Sequence, residues 1–236
     1  MSRADRAEPS PAAAGARRAL LAEPATALTD LGLGLLAGVL AGKTARGARD
    51  RCQADPLALR GWFVLLFGAT AVAAVAGAIV HGPVADPRDS THRATWMLAL
   101  ASVSVSGVAL SAIAARLLLP RSAARLVTAV AATRGGVFVA GLRSDTPYAS
   151  AVAQYAPGVG FVGLAFLAEL GRPEHRRPAL TGLAALGLTL LGAGIQRMRI
   201  VVHPRHFDHN AVYHCIQAGG LLLLDRAATG LLRAPR

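Results

Sequence analysis

Seven apolar stretches dominate this sequence and restrict what it can fold into. They lie at about 25–42, 61–81, 95–115, 124–142, 149–169, 179–196 and 209–232. A helix needs about 20 mainly apolar residues to cross the hydrocarbon core of a bilayer. Because lipid offers no hydrogen bonds, a spanning chain must pair its backbone groups internally, as a helix does. The sequence therefore predicts an all-α fold, a bundle of seven transmembrane helices.

The composition also indicates a membrane protein without a separate soluble domain. Hydrophobic residues make up 53% of the chain and charged residues only 16%, against about 25% charged in soluble domains. Residues 1–23 are rich in alanine and arginine, and we expect a disordered tail there. They contain acids and no apolar core, which argues against a cleaved signal peptide. Residues 24–236 are expected to form one seven-helix membrane domain.

The net charge of +12 does not indicate a nucleic-acid partner, because the arginines are spread over the loops between apolar stretches rather than gathered on one element. Membrane lipids are the expected partners. We call the side of the N-terminus face A and the opposite side face B. Face A carries ten basic residues and face B fourteen. Basic loops favour the cytoplasm, so we expect an N-out, C-in protein of a bacterial cytoplasmic membrane.

The histidines are distributed unequally between the two faces. With seven spans, the start of each odd helix and the end of each even helix lie on face A. Only His175 falls on face B. The other six of the seven histidines fall on face A: His81, His92, His203, His206, His209 and His214. Clustered imidazoles on one face are the chemistry that this sequence offers.

A polar stripe opens the last helix. Asn210, His214 and Gln217 follow one another at i, i+4 and i+7, so they share one helix face. Polar side chains in a spanning helix face protein or water rather than lipid. Either Asp208, or His203 before a proline, can cap the start of this helix. The stripe therefore predicts a polar site inside the bundle near face A.

Three imidazoles and a water are a common ligand set of catalytic Zn²⁺. The candidate ligands are His81, His209 and His214, with His206 as the alternative to His209. A zinc site requires them within about 5 Å of one another. His209 and His214 are about 140° apart around a regular helix, so one of them would need an unwound first turn. The alternative is an interfacial histidine cluster without metal.

Two charged residues lie inside predicted spans. A carboxylate in hydrocarbon costs roughly 2.5–3.5 kcal/mol at the centre of a span. Asp30, near the start of the first span, is either a charge favoured by the helix dipole or an acceptor for an imidazole N–H. We take Asp30 and Asp208 as the candidate catalytic residues. Arg134 in the fourth span needs a partner, and the candidates are Asp30, Gln154 and Tyr155.

The segments Gly77-Ala-Ile-Val-His81 and Asn210-Ala-Val-Tyr-His214 resemble motifs of the CREST superfamily of seven-helix membrane hydrolases. The resemblance implies a zinc-dependent hydrolase of lipid amide or ester bonds, with a lipid as substrate. The superfamily has serine where this chain has Gly77 and histidine where it has Asn210. The family's acid near the third helix corresponds to Asp86 or Asp89.

A missing serine weakens stabilisation of the oxyanion, so we expect slow turnover or a changed substrate. The alternative class is a non-enzymatic membrane protein, either a small transporter or a helper subunit. Transporters often contain two related halves, and the sequence has no evident internal repeat. It carries no signal for an oligomeric state.

Overall fold

Seven helices make up the regular structure in the computed structural model of the protein, which describes residues 21–47, 59–203 and 207–234. They are α1 (Pro24–Arg46), α2 (Leu59–His81), α3 (Ser90–Leu118), α4 (Arg121–Ala140), α5 (Tyr148–Glu169), α6 (Arg176–Arg197) and α7 (His209–Arg233). All seven are long and apolar enough to cross a membrane. The predicted all-α bundle is confirmed, and the chain is an integral membrane protein.

Aspartate residues cap the starts of two helices, where they accept hydrogen bonds from backbone N–H groups that have no partner within the helix. Asp89 accepts from the Thr91 N–H at 2.6 Å, so α3 begins five residues before the apolar stretch that predicted it. Asp208 accepts from the Ala211 N–H at 2.8 Å, and of the two candidate caps of α7 it is the one used. Most of the predicted tail, residues 1–20, lies outside the described residues.

The apolar core fills the half of the bundle nearer face B. Helix α3 runs through its centre, with 67% of its most apolar window buried. The largest fully buried side chains of this half come from α2, α3 and α5, and they are Phe63, Phe67, Leu110, Ile113 and Phe166.

Helix α5 makes close contacts with its neighbours at two levels, and each contact depends on a glycine. A β-carbon at Gly158 would stand 2.5 Å from the Gly107 carbonyl oxygen of α3, and one at Gly182 of α6 would stand 2.6 Å from the Phe166 ring. Small residues allow such contacts between transmembrane helices. The second contact, between Gly182 and Phe166, lies near face B. Closer to face A, a β-carbon added at Gly160 of α5 or at Gly187 of α6 would meet nothing within 4 Å. Helices α5 and α6 therefore touch near face B and separate toward face A.

Two polar contacts satisfy charges inside the spans. Lys43 of α1 and Asp225 of α7 form an ion pair at 2.5 Å, with Asp225 buried. Asp225 Oδ1 has no hydrogen-bond partner, so the lysine is its one compensating contact among the described residues. Arg134 of α4 donates to the backbone carbonyl of Gln154 at 2.7 Å. Of its three candidate partners, the structure selects Gln154, through its backbone.

We predict that Lys43→Met destabilises the protein, because it leaves the buried Asp225 carboxylate without a partner. Breaking a buried pair costs about 3–5 kcal/mol, and we expect a value at or below the lower end because more than half of the Lys43 side chain is exposed. Reversible unfolding in mixed micelles measures the change. The matched control is Arg226→Met, which removes the adjacent exposed positive charge of α7. Equal stability of Lys43→Met and the control would refute the role of the pair.

Candidate functional site

A cavity of about 880 Å³ runs along α5 and α6, with its polar end toward face A. Its wall is mostly aliphatic and is contributed by every helix except α4. Along α5 it reaches from Tyr148 to Leu167, about 28 Å at 1.5 Å per residue. Its polar end lies among the first turns of α1 and α7 and the last turn of α2. The volume suits a ligand of drug or lipid size.

The cavity opens toward the surrounding lipid between α5 and α6. Leu164, Leu167 and Leu190 belong to its wall, yet they are 61%, 53% and 63% exposed. A wall residue that is also exposed marks an opening, and this one follows the groove between α5 and α6. A molecule in the membrane can therefore reach the cavity sideways, without crossing face A.

An aspartate and a histidine from different helices meet at the polar end. Asp30 Oδ1 of α1 lies 3.2 Å from His214 Nε2 of α7, and both residues are less than 10% exposed. Asp30 is the seventh residue of α1 and His214 the sixth of α7, so the pair lies about 8–9 Å below the helix starts. A carboxylate and an imidazole at this depth are expensive unless they are partnered.

Thr29 holds the other ring nitrogen of His214. Its hydroxyl oxygen lies 3.1 Å from His214 Nδ1 and 2.8 Å from the Ala25 carbonyl oxygen. A carboxylate oxygen only accepts hydrogen bonds, so His214 Nε2 is the nitrogen that shares a proton with Asp30 Oδ1. Both nitrogens of the buried ring therefore have a partner.

Gly77 of α2 makes room for the carboxylate. A β-carbon at this position would stand 2.5 Å from Asp30 Oδ2, a distance that real atoms do not adopt. The serine that the CREST resemblance would supply here is thus sterically incompatible with Asp30 as it stands. The carboxylate of α1 occupies the space that a side chain of α2 would fill.

The candidate metal ligands are only partly brought together. His81 lines the same cavity as His214 and is close enough to influence it electrostatically, but its Nδ1 contacts Glu23 at 3.1 Å. His209 begins α7 and is not part of the cavity wall. His206 lies outside the described residues. Across the ranges that the structure describes, no three His, Cys, Asp or Glu side chains form a group that could hold a metal ion.

The described residues therefore do not fit the three-ligand zinc site. Zinc stays a prediction, which the metal content of the purified protein tests. The contact expected between Asp30 and an imidazole is present, with His214. The catalytic role of Asp30 is a separate question.

Asp208 holds the start of α7 against α1. Its Oδ2 accepts from the Thr26 hydroxyl at 2.9 Å, while its Oδ1 caps the helix. Partial burial opposes ionisation, but the hydrogen bonds from Ala211 and Thr26 outweigh it and hold the pKa of the Asp208 carboxyl below its ordinary value. Asp208 does not line the cavity, so its position indicates a structural role rather than the predicted catalytic one.

Several cavity residues were not among the predicted site residues. The wall includes Trp96 and all three tyrosines of the chain, Tyr148, Tyr155 and Tyr213. Gln196 donates to Asn210 at 3.0 Å, which joins α6 to the polar stripe of α7. The tyrosines could have been recognised as site residues from the sequence. The chain has only three tyrosines in 236 residues, and all three occur at or near the face-A ends of predicted spans.

The fold and the site define a seven-helix integral membrane protein with a polar site in a cavity open to lipid. Residues 25–233 match the family model of DUF6962, a family of unknown function. The chain belongs to that family. No curated protein and no solved structure matches the chain.

We predict that Gly77→Ala displaces the Asp30 carboxylate and lowers the free energy of unfolding by about 1–3 kcal/mol, the usual cost of overpacking. Gly68→Ala on the same helix is the control, because its β-carbon would meet nothing within 4 Å. Adding Gly77→Ala to an Asp30→Ala background should cost much less, since the clashing atom is gone. Additive costs in the double variant would contradict the steric account.

We predict that Asp208 contributes stability that acid removes. Its pKa is lowered in the folded state, so the contribution is present above the unfolded pKa, near 3.8, and is lost as the pH falls through the lower folded value. Asp208→Ala should cost about 1 kcal/mol at neutral pH, as the loss of an N-cap does. Unfolding measured at several pH values should show the difference from wild type shrinking below the ordinary aspartate pKa. A constant difference would contradict this account.

Proposed function

We propose that the protein hydrolyses an amide or ester bond of a membrane lipid, with Asp30 as the general base. One observation carries the proposal: the carboxylate in the wall of a cavity open to lipid is held by a buried imidazole at the polar end. The chain of the lipid lies along the groove between α5 and α6. Its carbonyl group reaches the Asp30–His214 pair.

The reaction needs a water and no other co-reactant. Asp30 Oδ2 takes a proton from the water, and the hydroxide oxygen attacks the lipid carbonyl carbon. The C–N or C–O bond then breaks, and the proton passes from Asp30 to the leaving nitrogen or oxygen. The products are a carboxylic acid and an amine or alcohol. Proton transfer of this kind contributes about 10²–10⁴-fold to a rate.

His214 acts through Asp30. The proton shared between Nε2 and Oδ1 stays with the pair and orients the carboxylate, so that Oδ2 is the atom free to exchange a proton with water. The Thr29 hydroxyl, 3.1 Å from Nδ1, fixes the orientation of the ring. The resemblance to CREST hydrolases supports the same reaction class. The difference at Gly77 is consistent with a carboxylate that has replaced the serine in space.

The sidedness of the site follows from the orientation. We propose that the chain is N-out and C-in in a bacterial cytoplasmic membrane, because basic residues are more numerous on face B. The Asp30–His214 pair then lies in the outer half of the bilayer, and its lipid comes from the outer leaflet.

The test is turnover of lipid amides and esters by the purified protein in nanodiscs. We predict that Asp30→Asn lowers the rate by about 10²-fold or more, because an amide cannot take a proton from water. The matched control is Asp145→Asn, which neutralises an exposed carboxylate on the same face and should leave the rate unchanged. Product formation in wild type that is equally fast in Asp30→Asn would refute Asp30 as the base.

A second candidate function is lipid binding without turnover, as in a transporter or a helper subunit. The observation that favours it is that both ring nitrogens of His214 are engaged by protein groups while no complete metal set is formed among the described residues. Lipid retained by the purified protein, with no hydrolysis product over many hours, would favour this function over the hydrolase.

A further inference from the structure

The polar end of the cavity is unsuited to anionic ligands. Among the described residues of its wall, histidine aside, Asp30 is the only acidic or basic one, and no lysine or arginine is present. This is unexpected in a chain with 25 basic and 13 acidic residues. A phosphate or carboxylate head would find no counter-charge there and would meet the carboxylate of Asp30.

Aromatic rings surround the same end. Trp96 and Tyr148 lie with ring centroids 6.4 Å apart, and the Tyr213 ring lies 5.3 Å from the His214 ring. Asp30 interacts electrostatically with both Tyr148 and Tyr213. The faces of Trp and Tyr attract cations, by about 2 kcal/mol or more where water is excluded. Aromatic rings beside one carboxylate are a setting that favours a cationic head.

The second carboxylate oxygen of Asp30 supplies a more specific partner for such a head. His214 Nε2 engages Oδ1 at 3.2 Å, which leaves Oδ2 to accept from a ligand. An ammonium group carries N–H donors and can donate to Oδ2. A quaternary ammonium cannot, because it has no N–H. The geometry thus distinguishes between two kinds of cation.

We propose that the cavity binds a long-chain primary ammonium amphiphile, with the ammonium donating to Asp30 Oδ2 and the alkyl chain in the groove between α5 and α6. This goes beyond the proposed hydrolysis, since it concerns binding alone. Such a cation occupies the general base and is therefore a competitive inhibitor where hydrolysis occurs.

The chain contains a built-in reporter for this site. It has two tryptophans, and only Trp96 lines the cavity. The variant Trp62→Phe leaves Trp96 as the single indole. Twelve-carbon ligands with a bromine on the chain and a head that is a primary ammonium, a trimethylammonium, an alcohol or a carboxylate quench it when they bind. Uncharged nanodiscs, with ligand expressed per lipid, remove differences in partitioning.

We predict that the primary ammonium binds roughly tenfold or more tightly than the alcohol, consistent with the cation–π contribution of a desolvated site. The trimethylammonium should lie between them and the carboxylate should bind most weakly. Asp30→Asn should abolish the preference for ammonium over alcohol while leaving alcohol binding. Asp145→Asn, the control on the same face, should keep the preference.

Tyr148→Leu provides a second variant should Asp30→Asn not fold. It removes one aromatic face without changing charge, and it should reduce the preference for both cations over the alcohol by several-fold. Equal binding of ammonium and alcohol in wild type, tightest binding of the carboxylate, or no quenching of Trp96 by any ligand would overturn the proposal. Hydrolysis without cation selectivity would support the proposed function and refute the binding of an ammonium amphiphile. Cation selectivity without hydrolysis would support the binding of an ammonium amphiphile and refute the proposed function.

Discussion

The contact between Asp30 and His214 is the constraint on which the rest of the site depends. Two groups that prefer water are buried about 8–9 Å below the helix starts, and each is stabilised by the other. Thr29 orients the ring, Gly77 leaves room for the carboxylate, and Asp208 anchors α7 to Thr26 of α1. A change at any of these positions alters the distance between one carboxylate oxygen and one ring nitrogen.

The bundle divides the two tasks of a membrane protein between its two halves. Apolar side chains fill the half nearer face B, and the Lys43–Asp225 pair joins α1 to α7 there. The half nearer face A contains the polar end of the cavity, with Asp30 and His214. A solid half can hold the helices together while the other half stays open to lipid. The contact of Phe166 with the α6 backbone at Gly182 marks the boundary on one side of the opening.

Much of the fold could be predicted from the sequence because lipid imposes a single rule on length and hydropathy. The helix count follows from it, and the parity of the spans assigns the histidines to faces. Asp30 was recognisable because a carboxylate is conspicuous in an apolar stretch. Its partner was harder to predict, since any of several face-A histidines satisfied the same rule. Choosing His214 requires the rotation of α7 against α1, which hydropathy does not encode.

The opening between α5 and α6 also escaped prediction. Both helices read as ordinary spans, and whether two neighbours touch along their whole length depends on side-chain volumes at particular levels, such as Phe166 against Gly182. The start of α3 also escaped prediction. The turn capped by Asp89 before residue 95 is polar, so in the sequence it resembled a loop rather than the first turn of a helix. The roles of Thr29 and Glu23 depend on contacts between distant segments and follow only from the three-dimensional structure.

The most direct test of the central contact is the ¹⁵N spectrum of histidine-labelled protein in lipid nanodiscs. The account predicts that Thr29→Val shifts the His214 Nδ1 signal and that Asp30→Asn shifts the His214 Nε2 signal. The control Asp145→Asn should shift neither. Nδ1 and Nε2 signals left unchanged by Thr29→Val and Asp30→Asn would contradict the account.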